Sequence, residues 1–165
     1  MVRYTGLVRR DFWYDEAFTG VVIKQSLPNM MAVLISDIHP PLYYWLVKVF
    51  AAPFDYSVFS IRLFSALLGV LAVWIVYRLT KHLFSDTAAL YTAAITALSP
   101  FAIQYSQEAR MYALLAVLIL LAADCFITGL KTNQTKYFIL WGVFTGLSFL
   151  THYISLFFAV MYYVV

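Results

Sequence analysis

Long apolar runs separated by short polar islands organise this chain. Every residue from Thr87 to Gln107 is uncharged, and Met111 to Leu130 is uncharged except for Asp124. Roughly 20 such residues cross a bilayer core as a helix. The pattern predicts four spans: about Val58 to Tyr77, Ala88 to Ile103, Met111 to Leu130, and a fourth beginning near Tyr137. The connecting stretches 78–86 and 131–136 are both basic, and the positive-inside rule assigns both to the cytoplasm. Parity then puts the island Tyr105-Ser106-Gln107-Glu108-Ala109-Arg110-Met111-Tyr112 on the outer side, together with everything before Val58. Arg3, Arg9, Arg10 and Lys24 weigh against that assignment, because they add positive charge to the outer side.

The region 1–57 does not read as a span, since Asp11, Asp15, Glu16, Lys24, Asp37, Lys48 and Asp55 interrupt every run of membrane length. Ser26 with Pro28 predicts a helix start, the hydroxyl capping free N–H groups and the proline sitting in the first turn. Asp37-Ile38-His39-Pro40-Pro41 must end that helix, because a residue before proline is pushed out of the α region. Leu42 to Ala52 then forms a second short helix with Tyr43, Tyr44 and Trp45 at headgroup depth. The expectation is an all-α fold: a polytopic transmembrane bundle over 58–165, with two juxtamembrane helices in a first extracytoplasmic loop over 1–57.

Composition agrees with that class. Apolar residues make up 64% and charged residues 12%, with a mean hydropathy of +0.82. Soluble domains carry about 25% charged residues, so the chain is read as an integral membrane protein. The +3 formal charge is scattered among apolar runs and forms no basic stripe, so no nucleic-acid partner is expected. Cys125 is the single cysteine, which excludes an intrachain disulfide, and a small packing residue is the simple reading of it. Asn133-Gln134-Thr135 matches a glycosylation acceptor but falls on the cytoplasmic side, a chance match. Gly142 with Gly146, and Ser65 with Gly69, form small-residue steps expected to pack within the chain. The basic start without an apolar segment and the last run without a polar end suggest part of a longer protein.

Few side chains could do chemistry. Asp15 and Glu16 point about 100° apart on a helix, so they cannot address one atom. One is a candidate for catalysis and the other for tying the loop down, unless both are simply solvated. Glu108 and Arg110 are either a local ion pair or a site in which Arg110 meets a phosphate bidentately. His39, before two prolines, is a structural hydrogen-bonder or a ligand, and His152 faces a cavity or a neighbouring span. Asp124 is a functional candidate as an intramembrane acid, or it reaches toward the inner interface.

Four segments in order carry a resemblance: Trp13-Tyr14-Asp15-Glu16-Ala17-Phe18-Thr19, Asp37-Ile38-His39-Pro40-Pro41-Leu42-Tyr43-Tyr44, Arg62-Leu63-Phe64-Ser65-Ala66-Leu67-Leu68-Gly69, and Ser106-Gln107-Glu108-Ala109-Arg110-Met111-Tyr112. Together they resemble the N-terminal half of a membrane glycosyltransferase of the C-type (GT-C) superfold. The nearest likeness is to dolichyl-phosphate-mannose protein mannosyltransferases and lipid A aminoarabinose transferases, glycosyltransferase family 39. The resemblance implies an inverting transfer of a sugar from a polyprenyl-phosphate donor to a hydroxyl of a protein, lipid or glycan, at the outer face of a bacterial cell membrane.

By the same resemblance Asp15 is the general base, Glu16 and Glu108 complete the catalytic acids, and Arg110 balances charge on the departing phosphate. His39, Tyr105, Gln107 and Tyr112 join Arg110 as substrate-binding residues. No organic cofactor is implied, and a divalent cation beside Glu108 is the one addition considered. The chain departs from the family in lacking a span before the acid loop and the later spans, so it is not expected to be a competent enzyme alone. A transporter or flippase of lipid-linked sugars is the alternative from another class, and a structural membrane subunit the third.

Overall fold

The structure is a computed structural model that describes Tyr4, Leu7 and residues 12–161. Arg3, Arg9, Arg10 and Asp11 lie outside the described residues. The described residues fold into helices α1 (Tyr14–Val22), α2 (Leu27–Ser36), α3 (Leu42–Ala51), α4 (Val58–Leu83), α5 (Asp86–Leu98), α6 (Pro100–Gln107), α7 (Tyr112–Thr132), α8 (Thr135–Phe149) and α9 (Ser155–Met161), with a 3-10 turn at Ala52–Phe54.

Two of the four predicted spans are continuous helices long and apolar enough to cross a membrane: α4 with 26 residues and α7 with 21. At 1.5 Å per residue α7 is about 31 Å long, close to the thickness of a hydrocarbon core. The run predicted as the second span is broken. Pro100 pushes Ser99 to ψ 120, ending α5, and the Ser99 hydroxyl accepts from Ala102 N to start α6. The fourth run is interrupted likewise at 150–154, where α8 gives way to α9.

The N-terminal region holds three short helices, one more than the pattern predicts. The addition is α1, which carries Asp15 and Glu16 in its first turn, where carboxylates favour the helix dipole. Its C-terminal end is held by Lys48 of α3, whose Nζ donates to the carbonyls of Ile23 and Gln25 at 2.6 Å each. The α2 start lies at Ser26 as expected, but the Ser26 side chain makes no capping bond; the backbone bond from Met30 N to Ser26 O holds the turn instead. Ile38 then adopts φ 55 and His39-Pro40-Pro41 separates α2 from α3. Helices α1 to α3 pack on one end of the bundle through a core that includes Val22, Met30, Leu34, Tyr43, Val47, Ile61, Met111 and Leu114. The α3 start is also tied to the α8 end, Leu42 N donating to Leu150 O at 2.9 Å.

Charges gather at the two ends of the bundle. At the end away from α1–α3, Asp124 pairs with Arg78 at 3.0 Å and His82 at 3.2 Å, and Lys131 Nζ donates to His82 O. Asp124 is thus engaged with the C-terminal end of α4 rather than standing alone inside a span. One packing expectation fails: a Cβ built on Gly142 or Gly146 meets nothing within 4 Å, so that step faces away from the described chain. Ser65, in contrast, is fully buried within the bundle.

Candidate active site

Residues far apart in the sequence converge where α1 meets the loop between α6 and α7. Glu16 is the clamp. Its side chain is 2% exposed, and its two oxygens accept from Arg62 Nε at 2.9 Å and Arg62 Nη2 at 2.6 Å. Oε1 also accepts from the Ala109 backbone N–H at 2.7 Å, a contact spanning 93 residues of sequence. Arg62, 5% exposed, further donates from Nη1 to Leu7 O, and its guanidinium lies 5.2 Å from the Phe12 ring centroid. The α1, α4 and α6–α7 segments are therefore held by one bidentate, charge-assisted pair. With every carboxylate oxygen occupied inside the protein, Glu16 acts as the residue that ties the loop down.

The neighbouring Asp15 points elsewhere, as adjacent helical residues must. Its side chain keeps 35% of its exposure and lies 3.7 Å from Arg110 Nη2, while Arg110 Nη1 donates to the Asp15 backbone carbonyl at 3.3 Å. Because Glu16 grips the amide of Ala109, it fixes the residue between Glu108 and Arg110. Arg110 itself is 7% exposed, and its buried Nε–H has no hydrogen-bond partner among the described residues. An unpaired guanidinium N–H in such a place costs about 1–3 kcal/mol unless a ligand receives it.

Glu108 closes α6, with Oε1 accepting from Gln104 Nε2 at 3.3 Å. Burial raises its carboxyl above the ordinary range; the negative charges of Glu16 and Asp15 add to the rise, and Gln104 and Arg110 oppose it. Asp15, Glu108 and Arg110 are thus within electrostatic reach of one another. The other predicted residues form the surroundings. His39 sits 2.9 Å from Asp37 Oδ2, with Phe18 at 5.4 Å and Tyr44 at 6.0 Å between ring centroids. Tyr105 packs edge-on against Tyr112 at 5.1 Å, and Tyr112 lies 6.4 Å from the His152 ring. Gln107 is the last residue of α6, beside Glu108.

Below this cluster runs an apolar cavity of about 570 Å³. Tyr105, Tyr112 and His152 line it beside Ser106, and it continues along α4, α5 and α7 to Val76, Thr96 and Leu120. Among the described residues no group of three or more His, Cys, Asp or Glu side chains could hold a metal ion.

Arg62 was not singled out by sequence reasoning. Its position four residues into α4, a charge inside an apolar span, was the available signal. The contact partner of Glu16 was not readable, since 46 residues separate the pair.

The described residues thus form a helical membrane bundle with a buried ion pair at one end and an apolar cavity beneath it. The chain belongs to the dolichyl-phosphate-mannose-protein mannosyltransferase family, whose model matches residues 38–165. A Bacillus subtilis (strain 168) protein named "Putative mannosyltransferase YycA" is 29% identical over 110 residues, covering 67% of this chain. The match covers 16% of that relative's length. No solved structure is significantly similar to the chain. The family match begins after Asp15 and Glu16, and these two acids are joined to the matched region by their contacts with Arg110, Arg62 and Ala109.

Proposed function

We infer that the chain carries the first-loop half of the active site of a glycosyltransferase that takes a sugar from a polyprenyl phosphate. The observation that carries this reading is Arg110: a buried guanidinium with one N–H unpartnered, two residues before Tyr112 at the head of the apolar cavity. A polyprenyl phosphate matches both halves, its phosphate meeting the guanidinium and its chain the cavity.

In the reaction so read, Asp15 is the general base. Its exposed carboxylate takes the proton of the acceptor hydroxyl, and the hydroxyl oxygen bonds to the anomeric carbon from the face opposite the phosphate. The bond from that carbon to the phosphate oxygen breaks, its electron pair stays on the phosphate, and the configuration inverts. Arg110 offsets the negative charge growing on the leaving oxygen. Glu108, whose carboxyl burial pushes above the ordinary range, stands beside Arg110 where it can orient the acceptor.

Arg78, Lys81 and His82 gather with Lys131 at the opposite end, which by the positive-inside rule faces the cytoplasm and turns Asp15 and Arg110 outward. A transporter of lipid-linked sugars needs polar groups near the midplane. Here the deep acid, Asp124, is occupied by Arg78 and His82.

The test is Asp15→Asn in the intact protein, assayed with a panel of polyprenyl-phosphate sugars. Transfer is expected to fall about 10²- to 10⁴-fold with donor binding retained. Undiminished transfer rules out Asp15 as the base, and the panel identifies the sugar.

A further inference from the structure

His152 takes no part in the chemistry above, yet the fold presents it where the apolar cavity meets the charged end. It lies in the turn between α8 and α9, held from both sides: its N–H donates to Ser148 O at 2.9 Å, and its carbonyl accepts from Ser155 N at 3.1 Å. The ring is fixed as well. Nδ1 accepts the backbone N–H of Ile154 at 3.1 Å, so in the neutral imidazole the proton resides on Nε2. No residue among those described pairs with Nε2, and His152 lines the cavity beside Tyr105 and Tyr112. The bond from Leu42 N to Leu150 O draws the α8 end against the α3 start, three residues beyond His39. The ring of Tyr112, two residues after Arg110, lies 6.4 Å from the His152 ring.

A donor of fixed tautomer at the head of an apolar cavity, with a second donor without a partner among the described residues on Arg110, two residues before the Tyr112 that faces His152, is matched by a phosphate oxygen at the end of a lipid chain. We propose that His152 is a substrate-binding residue whose Nε2–H donates to the phosphate of the lipid-linked donor. The proposal rests on the lipid-phosphate reading given above. It adds a contact that comes from the turn after α8 and not from the first loop or the Glu108–Arg110 island.

Two substitutions separate this role from a structural one. His152→Asn keeps an oxygen near Nδ1 to receive the Ile154 N–H but removes the donor at the Nε2 position. His152→Gln places an amide N–H near Nε2 and gives up the turn contact. Binding to the intact protein in nanodiscs is measured for three probes: a C55 polyprenyl phosphate, the polyprenol of equal length, and inorganic phosphate. The wild type is expected to prefer the polyprenyl phosphate over both others. His152→Asn should weaken polyprenyl-phosphate binding about tenfold or more and leave polyprenol binding unchanged, while His152→Gln stays within about threefold of wild type.

Wild-type affinity in His152→Asn overturns the proposal while leaving the lipid-phosphate reading intact. So does an equal loss in His152→Gln and His152→Asn, because a donor restored near the Nε2 position then fails to restore binding. A wild type that binds polyprenol as well as polyprenyl phosphate defeats the underlying reading itself. Inorganic phosphate binding as tightly as polyprenyl phosphate also overturns the lipid-linked assignment.

Discussion

Replacing Glu16 by leucine removes the acceptor of three buried hydrogen bonds in one step: two from Arg62 and one from the Ala109 amide. Both charged partners are almost fully enclosed, at 2% and 5% exposure, so water does not replace what is lost. An uncompensated buried charge costs about 3–5 kcal/mol, and that is the expected destabilisation of Glu16→Leu alone. Arg62→Met leaves the carboxylate with only the Ala109 N–H, and a loss of about the same size is expected. The double variant removes both charges. What remains includes an unpaired Ala109 N–H and an unpaired Leu7 carbonyl, each worth about 1–3 kcal/mol, so the double variant should cost less than the two single variants together. The coupling across the cycle should then exceed about 2 kcal/mol. Urea unfolding in a mild detergent, followed by tryptophan fluorescence, measures all four species. Single variants within about 0.5 kcal/mol of wild type, or an additive double variant, would refute the idea that this pair clamps α1 to the α6–α7 loop.

Two further outcomes follow from the same geometry. Glu108 has a raised pKa in the folded protein, so the folded state binds more protons than the unfolded chain between the ordinary carboxylate range and that raised value. Stability should therefore fall as pH rises through this window, and the fall should be smaller in Glu108→Gln, as read from melting temperature against pH. Asp124→Asn loosens Arg78 and His82 at the opposite end and should lower stability by about 1 kcal/mol, because both partners are partly exposed. Polyprenyl-phosphate affinity should not change in that variant, and a marked loss would move the site toward the membrane interior.

Local chemistry made much of the architecture legible. The apolar runs that became α4 and α7 needed only length and hydropathy, and Pro40-Pro41 separated α2 from α3 as the backbone of proline requires. The same proline logic applied to Ser99-Pro100 would have found the break between α5 and α6, but the uncharged run around it masked the signal. Helix α1 was missed because its nine residues mix acids with aromatics and it is held from outside, by the Glu16–Arg62 pair and by Lys48. Gly142 and Gly146 mark a limit of motif reading: spacing identifies a surface that permits close approach, not what approaches it.

The sequence by itself determined a membrane-embedded helical chain with acids and an arginine on one side of it, because hydropathy, charge and proline act over a few residues. It could also say that Asp15 and Glu16 must divide their tasks, since adjacent helical positions diverge. How the two acids are placed was decided only in three dimensions. Glu16 is enclosed against Arg62 of α4 and the Ala109 amide, while Asp15 is left half-buried beside Arg110. Such partners are brought together by packing across 46 and 93 residues of chain, and no local pattern encodes a distance of that kind.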